Sequence, residues 1–265
     1  MLIVADYHTH TRMSHGKGTI EENVIAAIEK GLKAVAVTDH GFAHIAYGMT
    51  RREARDARRE VDALSQRYQR DITILLGVEA NLTGLDGTVD IGGEKGKYFD
   101  IVLMGHHKAA LPSRFSDFWH FFMVNELGLA GKSRKARVTD MNTKAYIRAV
   151  EKYDIDIIVH PMYAIDVDIG LLARACAEKG TAIEINSAHM LLTLEQICLA
   201  KAEGARFVIN SDAHMPRNVG DFGFGIQTAL EAGLTEDDII NAAGYSGKLP
   251  KNLEAMMQKK REGEL

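Results

Sequence analysis

Leu2-Ile3-Val4-Ala5-Asp6-Tyr7-His8-Thr9-His10 opens the chain, and the same pattern returns as Asp156-Ile157-Ile158-Val159-His160-Pro161. In both, a short apolar run rich in β-branched residues ends in a side chain that can bind metal. Short apolar runs of this composition read as buried parallel strands. Others occupy residues 34–38, 72–79, 100–105, 181–186 and 206–211, which with 2–7 and 155–160 make seven. Helical patterns lie between them. Thr19 with Glu22, and Thr50 with Glu53, have capping-box spacing and predict helices over 19–30, closed at Gly31, and over 50–68. Further helices are expected over 140–153, 167–179, 194–203 and about 225–232, then a helical tail over about 235–262. Strand and helix alternating throughout predict a single α/β domain over residues 1–265, its parallel sheet closed as a barrel or open and doubly wound.

Two stretches break the alternation. Residues 81–98 carry Asp86-Gly87 and Gly92-Gly93, which read as turns of a small hairpin beside the mouth of the sheet. Residues 106–139 carry Trp119, Phe121 and Phe122 and then the basic 132–137 cluster, a segment placed to cover part of the mouth.

Composition narrows the function classes. A formal charge of -4 over 265 residues gives no general basic field and argues against nucleic acid as the partner. No apolar run reaches the roughly 20 residues that cross a bilayer, and no cleavable leader is visible, so a cytoplasmic protein is expected. Cys176 and Cys198 both fall in helical patterns and read as buried core thiols rather than a disulfide or thiolate site. The alternating charges of residues 51–70 read as the solvent face of a helix.

The chemistry gathers at the carboxyl ends of the strands, where a barrel aims its last side chains into one mouth. His8 and His10 share one side of an extended segment, with His15 just beyond. His40 follows the second strand, where Asp39 or a neighbouring carbonyl could fix its tautomer. Glu79 ends the third and can bridge two cations, His107 follows the fourth, His160 ends the fifth, and Asp212 and His214 follow the seventh. One histidine at a strand end is more often a hydrogen-bonded structural residue than a ligand, and Asp212 alone could be a helix cap. Recurrence at one end of strand after strand decides for a multinuclear metal site, since each exception would need its own cause.

The motifs HTHT at 8–11, TDHG at 38–41, GVEAN at 77–81, GHH at 105–107, HP at 160–161 and SDAH at 211–214 make the chain resemble the PHP (polymerase and histidinol phosphatase) superfamily of metal-dependent phosphoesterases. With EIN at 184–186 it is most similar to the YcdX-like phosphatases. The resemblance implies a distorted (β/α)7 barrel holding three divalent ions, zinc first, with manganese or iron as alternatives. It places His8, His10, Glu79 and Asp212 on one ion, His15, His40 and His214 on a second, and Glu79, His107 and His160 on a third. His107 rather than His106 matches the family's GxH form. It also implies a homo-oligomer, though no seam is visible.

Such a site suits phosphoester hydrolysis. Water bound to divalent cations is acidified toward neutrality and supplies hydroxide, while the cations offset charge on the phosphate. No protein nucleophile is needed, and Asp212 or His214 is a candidate for protonating the leaving alcohol. The leading expectation is a phosphomonoesterase acting on a small phosphorylated metabolite, with histidinol phosphate one candidate substrate. A phosphodiesterase or nuclease and a noncatalytic metal-binding regulatory module are the alternatives. Arg12 and Arg217 are the first choices for holding substrate phosphate, ahead of Lys17, Lys108 and the 132–137 cluster, although any one of these is most simply a solvated cation. His44, His120 and His189 show no ligand register.

Overall fold

Seven strands form one sheet in chain order: β1 (Ala5–Asp6), β2 (Ala34–Val37), β3 (Thr73–Asn81), β4 (Ile101–Gly105), β5 (Ile157–Ile158), β6 (Ala182–Asn186) and β7 (Arg206–Asn210). Each is parallel to the next. Beyond β1 and β7, Thr9 and Ala213 form a parallel bridge, with the His10 N–H donating to the Ala213 carbonyl at 2.8 Å. Buried Asp6 reinforces that seam by accepting from Ser211 Oγ at 2.5 Å and from the Gly220 N–H at 2.8 Å. The result is a nearly closed, distorted (β/α)7 barrel, with β1 and β5 the short strands. This computed structural model describes residues 1–93, 95–126, 135–189 and 191–261.

Around the barrel run α1 (Ile20–Glu29), α2 (Arg51–Arg67), the single turns α3 (Lys95–Tyr98) and α4 (Phe115–Phe118), α5 (Lys135–Lys152), α6 (Ile169–Lys179), α7 (Leu194–Ala202), α8 (Gly223–Glu231) and α9 (Lys251–Arg261). Both anticipated capping boxes form, Thr19 with Glu22 and Thr50 with Glu53. A third joins Thr193 to Gln196 at α7. The hairpin after β3 is present: Leu82 pairs antiparallel with Val89, and Gly87 supplies the positive φ, 79°, that its turn requires.

Period-two alternation divides the strands between two apolar layers. Ile74, Leu76, Val78, Ile183, Ile185, Phe207 and Ile209 pack outward in the layer shared with the helices. Ala36, Leu75, Ile101, Leu103, Ile157, Val159, Ala182 and Val208 fill the lumen, together with Ile240, Leu253 and Met256 from the last part of the chain. α9 is tied to the start of β5 by Asn252, whose Nδ2 donates to Asp156 Oδ1 at 2.8 Å, so it plugs the amino-terminal end of the barrel. The opposite end is left for polar side chains.

Three expectations are corrected. The 235–262 segment is not one helix: a 3-10 turn at Glu236–Asp238 is followed by irregular chain until α9, because Gly244, Gly247 and Pro250 interrupt it. α5 begins five residues before the expected 140. Cys198 is exposed rather than buried, while Cys176 lies in the core as expected. Residues 127–134, with much of the basic cluster, lie outside the described residues. Among the described residues no helix is long and apolar enough to cross a membrane.

Candidate metal centre

The lumen rows of the strands continue upward as ligand rows. Leu75 is followed on its face by Gly77 and Glu79, Leu103 by Gly105 and His107, and Val208 by Asn210 and Asp212. This alternation points His107 inward and His106 outward, where His106 lies against Phe121 with ring centroids 5.2 Å apart. β5 must break the pleat, because Val159 already faces the lumen and His160 does too. His160 does so with φ at 28°, and Asp212 likewise sits at φ 52°. Left-handed backbone at a non-glycine residue costs on the order of 1–3 kcal/mol and persists where its surroundings impose it.

All nine predicted residues meet at this mouth. His8, His10 and Asp212 offer donor atoms to one point, as do His8, Glu79 and His160, then His10, His40 and Glu79, and His10, His15 and His214. His107 Nε2 lies 3.0 Å and His160 Nε2 2.6 Å from Glu79 Oε1. His15 therefore clusters with His214 as expected, while His40 stands nearer Glu79 and His10.

On three of the rings the nitrogen turned away from the centre is held by an acceptor, whereas His15 Nδ1 and His160 Nδ1 are buried without a partner. His8 Nδ1 donates to Glu184 Oε1 at 2.7 Å, His107 Nδ1 to Asn81 Oδ1 at 2.7 Å, and His214 Nδ1 to the Asp212 carbonyl at 2.8 Å. Asn81 can only accept there, because its Nδ2 donates to Asp90 Oδ2 at 2.6 Å. In the neutral form of these three rings, which metal binding requires, each Nε2 is then a lone pair facing carboxylate oxygen or another Nε2. His10 and His8 Nε2 are 3.2 Å apart, and His15 and His214 meet Nε2 to Nε2. Glu79 Oε2 and His40 Nδ1 are 2.7 Å apart, yet out of line for a hydrogen bond, so both are unpartnered and buried. Lone pairs converging on lone pairs are what a divalent cation satisfies, and mixed imidazole and carboxylate donors fit zinc, manganese or iron.

The electrostatics agree. Burial would raise the Glu79 carboxyl, but the imidazoles of His107, His40 and His8 outweigh it and hold the pKa well below the usual range. Burial likewise opposes ionisation of Asp212, and His8 and His10 reverse it. Desolvation first, then neighbouring imidazoles, lower His15 to about 3, whereas for His107 desolvation lowers the pKa to about 3 against the pull of Glu79. These two rings stay neutral with lone pairs free. His8 is the converse: desolvation is outweighed by Asp212, Glu184 and Glu79, so its pKa is raised well above the ordinary value.

The mouth encloses a cavity of about 260 Å³. His44, Tyr47, Lys108, Tyr163 and His189 line it beside the predicted residues. His44 and His189 lacked a strand register because both stand on loops. Arg12 and Arg217 are not among the lining residues: the Arg12 Nε donates to the Lys17 carbonyl at 2.8 Å, and Arg217 is exposed on a 3-10 turn. Asp39 does not orient His40. Its carboxylate accepts from the Thr11 N–H at 2.7 Å and from Ser14 Oγ at 2.5 Å, which shapes the loop carrying His15. Glu184 carries more of the site than its motif suggested. Besides His8, it accepts from the His160 N–H at 2.8 Å, Asn186 Nδ2 at 3.0 Å and Asn210 Nδ2 at 3.0 Å.

Among known proteins, the chain is 31% identical over 258 residues to a protein of Thermoanaerobacter sp. (strain X514) named "probable phosphatase", with 91% of each covered. It is 29% identical over 268 residues to the DNA polymerase/3'-5' exonuclease PolX of Bacillus subtilis (strain 168), spanning 97% of this chain and 41% of that longer one. The histidinol phosphate phosphatase of Lactococcus lactis subsp. lactis Il1403, solved with zinc, L-histidinol and phosphate, shares the fold at a TM-score of 0.61 and 16% identity, over 89% of this chain and 95% of that one. Residues 6–215, which carry all nine of the converging side chains, match the PHP domain, and the chain belongs to that family.

Proposed function

We propose that this chain is a metal-dependent phosphoesterase that hydrolyses phosphomonoesters of small metabolites. The observation that carries the reading is the convergence of imidazole nitrogens and carboxylate oxygens on one cavity, Glu79 Oε2 and His40 Nδ1 among them buried without a hydrogen-bond partner. Three ions are assigned: the first to His8, His10, Asp212 and Glu79, the second to His15, His40 and His214, and the third to His107, His160 and Glu79. Zinc is the first ion to test, with manganese and iron as alternatives. Bound divalent cations acidify water for attack on phosphorus and offset charge on the nonbridging oxygens. The protein's own part is to fix the donors. Glu184 and Asn81 set the tautomers of His8 and His107, and Asn186 Nδ2 holds Asp212 Oδ2 at 3.1 Å so that Oδ1 faces His8 and His10. Asp212 and His214, together at the end of β7, are placed to pass a proton to the leaving alcohol. The names of the similar proteins support phosphatase chemistry. The exonuclease alternative would need a run of cations along a strand-length groove, and among the described residues this cavity is lined by one lysine and no arginine.

The test is metal content by elemental analysis together with p-nitrophenyl phosphate hydrolysis, for the wild type and for Asp212→Ala combined with His214→Ala. About three ions per chain with turnover, both reduced in the variant and turnover by at least about 100-fold, is the expected result. Metal without turnover of phosphomonoesters or oligonucleotides would leave a binding module instead.

A further inference from the structure

We infer that Lys108 selects substrates whose leaving group carries a second anionic group, a carboxylate or another phosphate, beyond the phosphoryl group that is cleaved. The inference rests on the phosphomonoesterase reading and deepens it. Lys108 follows the inward-facing His107 and is the sole lysine or arginine among the described residues that line the cavity. Its side chain is exposed, and among the described residues no carboxylate pairs with it.

The backbone beneath it is held. Ile45 N–H donates to the Ala109 carbonyl at 2.9 Å and Leu111 N–H to the Ala43 carbonyl at 2.9 Å, so the strip after β4 is laced to the loop bearing His44 and Tyr47. The cation is thus anchored at the rim, outside the donor cluster. With divalent ions bound against only two carboxylates, Glu79 and Asp212, the cluster itself carries surplus positive charge for the phosphoryl dianion. A further cation at the rim has its use on an anion elsewhere in the substrate. Tyr47, stacked on His15 at 4.7 Å, and Tyr163, edge-on to His160 at 5.5 Å, wall the cavity with aromatic rings and add no competing charge.

Glycerol 3-phosphate and 3-phosphoglycerate form a matched pair that differs by a hydroxymethyl group in place of a carboxylate. Each is measured as a competitor of p-nitrophenyl phosphate hydrolysis by the metal-loaded protein. A charge-assisted contact predicts a Ki about tenfold lower for 3-phosphoglycerate in the wild type. In Lys108→Met, with metal content unchanged, the two Ki values should fall within about threefold of each other, while Lys108→Arg keeps the preference. Equal Ki values in the wild type, a preference that survives in Lys108→Met, or its loss in Lys108→Arg would each overturn the assignment while leaving the phosphatase reading intact. Absence of p-nitrophenyl phosphate turnover by the loaded wild type would instead overturn that reading, and this inference with it.

Discussion

Glu184 shows how much one buried side chain can decide at this mouth. It is 1% exposed and accepts four hydrogen bonds, from His8 on the end of β1, the backbone of His160 after β5, Asn186 on β6 and Asn210 on β7. A carboxylate behind a metal-binding imidazole fixes its tautomer and raises its basicity, and loss of such a partner typically costs about 10–100-fold in metal affinity. Glu184→Gln keeps the shape but brings an amide that can donate toward His8 Nδ1, which frees the other tautomer. The expected outcome is a loss of about 10–100-fold in affinity for at least one ion, read by competition with a chromogenic chelator, with little change in the far-UV circular dichroism. Unchanged metal affinity would reduce Glu184 to a barrel fastener. The residue was visible in the sequence only as part of the EIN motif, because a partner 176 residues away leaves no local pattern.

At the scale of elements, the strands were legible and the kinks were not. Apolar runs placed all seven strands, since burial on both faces leaves a strong composition signal, while His107 was preferred to His106 only through the family's GxH form. The capping boxes of α1 and α2 were equally local. What alternation cannot reveal is a break in itself: His160 reaches the lumen only through left-handed backbone, and nothing in Val159-His160-Pro161 encodes that outside its tertiary setting. The irregular 239–250 stretch was missed because the tail's apolar residues fill the barrel end rather than one helical face. Gly105 offers a test of the kink. A Cβ there would stand 2.8 Å from His160 Cε1 and 3.0 Å from Val159 Cγ2, so the neighbouring strand yields space to the imidazole. Gly105→Ala should destabilise the fold by about 1–3 kcal/mol in urea titration and displace His160 enough to lower the bound metal. Gly223→Ala, where a Cβ meets nothing within 4 Å, is the control and should leave metal content unchanged. Full metal content in Gly105→Ala would mean that the His160 ring position is not critical.

For the whole molecule, the mouth concentrates charge that the barrel must tolerate, and the two kinds of histidine there pull stability in opposite directions with pH. His8 and His160 have pKa values raised in the fold, against desolvation, by Asp212, Glu184 and Glu79 for the first and chiefly by Glu79 for the second. Their contribution is therefore fully present below the ordinary value of about 6.5 and is lost as pH rises through the folded values. Desolvation lowers His15 and His107 to about 3 and His44 and His106 to about 4, so the unfolded chain takes up protons there first, and stability falls as pH drops below about 6.5. The metal-free protein should thus be most stable near pH 6.5 and weaken on both sides. Divalent ions require neutral imidazoles, so loading displaces protons from His8 and His160 and tightens as pH rises. At an ion concentration about 100-fold above Kd the gain is about 2.7 kcal/mol, or about 5–10 °C in Tm for a chain of this size. Melting curves of chelated and metal-loaded protein should therefore diverge steadily from pH 6.5 to 8.5. A gap that narrows over that range would mean that the buried cluster folds without the electrostatic conflict that bound metal relieves.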